Sequence, residues 1–157
     1  MINAGFTELL LGALAALLVL AAVIDVRTYT ISNRLNLAVA AMAPLYWVAA
    51  GLPLWPGAAV QVAAGATVFA LFALAFFVGM MGGGDVKLAA ALALWFPPEA
   101  TVKFLVWMSI AGGVLTVLVL ALHRWRGGEG RPKVPYGVAI AFGGLAVLAQ
   151  RYLNQFA

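Results

Sequence analysis

Six apolar stretches, separated by short turns rich in glycine, proline and charge, make up most of this 157-residue chain. The first runs from Phe6 to Ile24, roughly 19 residues, enough at about 1.5 Å per residue to cross a bilayer core of about 30 Å. A polar turn, Asp25 to Arg34, follows, with Ser32 or Asn33 placed to cap the next helix. Segment two, Leu35 to Gly51, carries Pro44 as an expected kink. The turn Gly51 to Gly57 holds Trp55, a residue suited to the membrane interface. Segment three, Ala58 to Met80, is uncharged, with Gln61 polar near its start. Segment four, Val86 to Phe96, is about eleven residues long and is expected to cross the bilayer only in part, or tilted. Pro97-Pro98 is expected to end it. Segment five covers Val102 to Leu122, and segment six runs from Pro135 to Leu153.

Composition fixes the solvent. Hydrophobic residues make up 66% of the chain and charged ones 9%, against about a quarter charged in an ordinary soluble domain. So much apolar surface needs lipid around it, and the chain reads as an all-α, polytopic membrane helix bundle in a single domain, 1–157. Its glycines, among them Gly65, Gly112, Gly113, Gly143 and Gly144, suit close helix packing in lipid. The first segment lacks a basic n-region and a small-residue cleavage site, so it reads as a retained helix.

The net charge of +4 does not point to nucleic acid, because the basic residues are scattered through short loops with no basic stripe and interleaved aromatics. They instead set orientation. Arg27, Arg34, Lys87, Arg124, Arg126, Arg131 and Lys133 lie on one side, against Lys103 and Arg151 on the other. That asymmetry predicts a cytoplasmic face for the turns after segments one, three and five, with both termini outside. Arg124, Arg126, Arg131 and Lys133 read most simply as a topology and anionic-lipid signal. The chain has no cysteine and one histidine, His123, which excludes thiolate chemistry and Cys- or multi-His metal centres. No cofactor is expected.

Two aspartates remain, Asp25 after segment one and Asp85 before segment four, and these are the only aspartates in the chain. Gly82-Gly83-Gly84 leads into Asp85, removing three Cβ atoms so that another backbone can come close or the chain can take positive φ. Ionisable groups at membrane depth are candidates for function. Two carboxylates on one side suffice for an acid–base pair acting on water. The plainer alternatives are that Asp25 pairs with Arg27 or Arg34, and that Asp85 is a helix N-cap paired with Lys87. Lys87 lies two residues from Asp85, a spacing that does not face it on a helix, so it is expected to meet lipid phosphate or substrate. Pro135 reads as a first-turn proline.

Three blocks carry a resemblance to the type IV prepilin leader peptidases, most closely their short, Tad-type members. They are Asp25-Val26-Arg27 through Ile31-Ser32-Asn33, then Gly82-Gly83-Gly84-Asp85-Val86-Lys87-Leu88, then Val134-Pro135-Tyr136-Gly137-Val138-Ala139-Ile140. The second matches the Gly-x-Gly-Asp signature of a wider group of membrane aspartic proteases. The resemblance implies an aspartic endopeptidase of the bacterial cytoplasmic membrane that removes the short basic leader preceding a prepilin's apolar helix, at the cytoplasmic face. It assigns Asp25 and Asp85 as the catalytic pair and Gly82 and Gly84 as signature glycines. Arg27, Asn33, Lys87, Pro135, Tyr136 and Gly137 stand in the same blocks as supporting residues. The cysteine-bearing loop of the long, N-methylating members is missing, which argues against methyltransferase activity.

Two other functions fit parts of this pattern. A presenilin-like protease would cut within a transmembrane span, but its Pro-Ala-Leu motif is absent, with Pro135-Tyr136-Gly137 near the expected place. A small transporter with a carboxylate proton relay would place its carboxylates on broken helices at mid-bilayer. Within the aspartic pair, helix-end electrostatics predict distinct roles. Asp85 opens a helix and is expected to be the ionised base. Asp25 follows the C-terminal end of one and is expected to be the protonated acid.

Overall fold

The computed structural model describes residues 4–130 and 132–155; Arg131 of the basic cluster lies outside them. Six helices form in chain order: α1 (Ala4–Thr28), α2 (Asn33–Ala50), α3 (Ala59–Phe77), α4 (Gly83–Ala93), α5 (Pro98–Trp125) and α6 (Tyr136–Gln155). One short helical turn, Leu54–Ala58, leads into α3. No strand occurs among the described residues. Among the described residues, four helical stretches are long and apolar enough to cross a membrane: Ala4–Thr28, Leu54–Phe77, Pro98–Trp125 and Tyr136–Asn154. The fold is the expected membrane helix bundle.

Local chemistry explains most boundaries. Ser32 caps α2, its hydroxyl accepting the Leu35 N–H at 3.3 Å, and Gly51 closes that helix in the left-handed conformation, φ 71°. Pro97 and Pro98 do not end segment four as expected. Pro97 is the N-cap of α5 and Pro98 its first turn, where a missing N–H costs nothing.

The short helix α4 is the hub. It packs against α2, α3 and α6, and Leu88, Ala89, Leu92 and Ala93 are wholly buried. Leu14 and Leu18 of α1, Val39 of α2 and Ile140 of α6 complete this core. Eleven residues end within the bundle, where orphan C-terminal carbonyls have no water to turn to. One indole meets this need. Trp47 donates to the carbonyl of Leu94, the C-cap of α4, at 2.8 Å, and Trp95, two residues past the helix, ties this end to α2 by donating to the Val39 carbonyl at 2.9 Å. Encased in protein and closed by tryptophans, α4 need not span the bilayer.

Small residues set how closely helices approach. A Cβ on Gly65 would lie 2.6 Å from the Leu94 side chain, and one on Gly143 would lie 2.9 Å from backbone atoms of α5. Gly144 likewise faces Leu18 at 2.9 Å. Gly112 and Gly113 do not share this role, since a Cβ would meet nothing closer than 3.6 Å at the first and nothing within 4 Å at the second.

Candidate active site

Asp25 lies one turn before the end of α1 rather than after it. The helix continues to Thr28, with the Tyr29 N–H bonded to the Asp25 carbonyl at 2.8 Å. Its side chain is buried, 3% exposed, and pairs with neither Arg27 nor Arg34. Instead Asp25 Oδ2 accepts the Gly137 backbone N–H at 2.7 Å, and the Val138 N–H also acts on the carboxylate. Both N–H groups belong to the first turn of α6, the end of a helix that favours negative charge. Burial weighs against charge on this carboxylate, and the N–H groups that offset part of that cost come from a helix more than a hundred residues on.

Asp85 sits in the third position of α4, not at its N-cap. Gly82 is the N-cap, in extended conformation, and the Asp85 carboxylate folds back onto its backbone N–H, as an acidic residue does in a capping box. Because α4 is too short to span the membrane, Asp85 lies outside the spanning helices. Burial first, and then the charge of Asp25, push its pKa from 3.8 to about 6. The two carboxylates thus share one end of the bundle and sense each other.

The glycine triplet works by clearance, not by backbone freedom. None of Gly82, Gly83 and Gly84 has positive φ; the left-handed glycine of this turn is Gly79, φ 74°. A Cβ on Gly84 would stand 2.8 Å from the Ile31 carbonyl oxygen, and one on Gly82 would stand 2.8 Å from Asp85 Oδ2. At Gly83 the nearest atom is the Phe76 ring at 3.4 Å, an ordinary contact. The two signature positions are the crowded ones, and the variable position between them has room.

Ile31 is the wedge between the blocks. Its backbone meets Gly84, and its side chain would be 2.7 Å from a Cβ on Gly137. One buried residue thereby keys the α1–α2 turn, the start of α4 and the start of α6 together. Asn36, which the motif reading passes over, adds a second tie. Its Nδ2 donates to the Gly84 carbonyl at 3.0 Å, and the residue is buried. The signal for it was a lone amide inside an apolar segment, costly at that depth unless bonded.

The remaining candidates divide. Lys87 does not meet Asp85; exposed, it donates to Asn33 Oδ1 at 2.8 Å, joining α4 to α2. Pro135 is buried just before α6 and its carbonyl accepts the Val138 N–H at 3.2 Å. Tyr136 has its hydroxyl 3.4 Å from Thr116 Oγ1 of α5. Arg27 is exposed on the last turn of α1. His123 faces the Glu129 carbonyl at 3.3 Å in the α5–α6 loop.

Asp85 opens into a cleft of about 700 Å³ whose walls include Tyr29, Met80, Met81, Thr116, Lys133 and Tyr136. The cleft has one carboxylate in its wall, while the second, Asp25, is buried and outside its lining. A membrane helix bundle with this arrangement has the form of a membrane-embedded peptidase. The model of the type IV leader peptidase family matches residues 12–117, more than half of the chain and both aspartates, and the protein belongs to that family. No curated protein and no solved structure matches the chain.

Proposed function

We propose that this protein is an aspartic endopeptidase that removes the short basic leader from type IV prepilins of the Flp/Tad kind, at the cytoplasmic face of a bacterial membrane. Family membership supports peptidase chemistry over a proton relay. The observation that carries the aspartic assignment is the meeting of Asp25 and Asp85 at one end of the bundle, close enough for one charge to raise the other's pKa. The basic turns at that same end support the cytoplasmic orientation.

The geometry favours roles opposite to those helix ends alone suggest. Asp25, held by the α6 N–H groups, is the carboxylate; Asp85, half-buried beside that charge, keeps the shared proton. Water attacks the scissile carbonyl carbon as Asp25 takes its proton and Asp85 protonates the carbonyl oxygen. Collapse of the gem-diol then breaks the C–N bond. The leaving amine takes the proton from Asp25, and a diol hydroxyl returns one to Asp85, restoring the pair.

The test is cleavage of a purified prepilin by the enzyme in nanodiscs, with the products read by mass. The wild type is expected to release the leader, and Asp25→Asn and Asp85→Asn are each expected to release none while remaining inserted. Cleavage by either variant overturns the paired mechanism.

A further inference from the structure

Among the described residues, four helix ends turn through the left-handed conformation. Gly51 after α2, Gly79 after α3 and Gly127 after α5 do so with φ of 71°, 74° and 69°, whereas α1 ends in Tyr29, φ 53°. Glycine takes this conformation at no steric cost, and a bulky side chain does not. Such strain persists only where the surroundings impose it, and it gathers at functional positions. Here a hydroxyl clasp flanks the strained residue. The Thr28 and Thr30 hydroxyls lie 3.0 Å apart across Tyr29, and Thr28 Oγ1 is bonded to the Ile24 carbonyl at 3.0 Å.

Fold stability does not account for the ring. Tyr29 is 48% exposed, and its hydroxyl has no hydrogen-bond partner among the described residues. What the ring does is line space. It borders the Asp85 cleft, and it also borders an adjoining recess of about 330 Å³ that holds His123, Arg126 and Lys133. Tyr29 therefore stands at the partition between the cleft and a basic recess, four residues beyond Asp25. The cleft lining includes apolar, deformable side chains, among them Val78, Met80, Met81 and Leu120.

We propose that Tyr29 is a specificity-determining residue, its ring forming a wall of the subsite that receives the side chain flanking the scissile bond and favouring a large apolar one. The inference rests on the peptidase reading above. Left-handed backbone at this position aims the ring at the cleft, and the Thr28–Thr30 clasp holds it there before substrate arrives.

The experiment compares two prepilins, differing only in a large apolar or a small residue beside the cut bond, on wild type, Tyr29→Gly and Tyr29→Phe in nanodiscs. Tyr29→Gly relieves the strain, so its thermal midpoint is expected to equal or exceed that of the wild type. Its kcat/KM for the large-residue substrate is expected to fall about tenfold or more, through KM, while the small-residue substrate changes little. Tyr29→Phe, which keeps the ring, is expected to keep the preference. Equal loss on both substrates, no loss on either, or a Tyr29→Gly protein less stable than wild type would assign Tyr29 to folding or lipid anchoring and overturn the proposal. Wild-type cleavage with unchanged selectivity in Tyr29→Gly removes this inference alone. If the wild type cuts neither substrate, the peptidase reading fails and the subsite with it.

Discussion

Gly137 donates its backbone N–H to Asp25 at 2.7 Å, and a Cβ on that same glycine would stand 2.8 Å from the carboxylate oxygen it serves. Hydrogen bond and clearance are one requirement, since only a residue without a side chain lets the α6 N-terminus come that near. Gly137→Ala is expected to insert normally and to push the carboxylate off its N–H partners. Misplacement of a reacting group by about 1 Å costs on the order of 100-fold in rate, so prepilin cleavage should fall by about that factor. An alanine variant as active as wild type would show that this contact does not position Asp25.

The glycine triplet gives a graded prediction. Gly84→Ala drives a methyl group against the Ile31 backbone, which cannot rotate away, whereas Gly83→Ala meets only the Phe76 ring at contact distance. Cleavage should be lost in Gly84→Ala and kept within a few-fold in Gly83→Ala, a contrast in overpacking read from initial rates. Equal effects at the two positions would remove clearance as the reason for the signature.

Trp47 tests what lets α4 be short. Trp47→Phe retains most of the packing but strips the donor from the buried Leu94 carbonyl. A buried acceptor left unpaired costs about 1–3 kcal/mol, so the thermal midpoint should fall clearly while the residual folded protein still cleaves. An unchanged midpoint would mean that another group satisfies that carbonyl.

The raised pKa of Asp85 makes a prediction about stability. A carboxyl whose folded pKa is about 6, above its ordinary 3.8, binds its proton more tightly in the folded protein than in the unfolded one. Stability from this group is full at low pH and is lost as pH rises through about 6. Asp85→Asn, which cannot ionise, should therefore exceed the wild type in thermal midpoint at pH 7.5. That advantage should shrink steadily as pH falls from 6 toward 4. A gain independent of pH would sever the link to Asp85 ionisation.

The sequence by itself determined the solvent, the helices and the two aspartates. Apolar stretches of bilayer length, so few charges and two aspartates beside helix ends each constrain the chain locally, and the three motif blocks could be read in order. Helix ends were read only approximately, because Thr28 and Gly83 extend helices into turns whose residues are poor helix formers, and packing overrides that preference. What surrounds each aspartate was decided by tertiary structure. Asp25 draws its hydrogen bond from Gly137, and Lys87 turns to Asn33 on another helix. Both contacts join residues far apart in the chain, and no spacing rule encodes them. The same holds for the glycines. Three in a row signal freedom of φ, yet the fold uses Gly84 for the absent Cβ, because Ile31 arrives there from the α1–α2 turn. An electrostatic argument from one helix end reverses when a second helix supplies its N-terminus, since the N–H groups there act through space and not along the sequence.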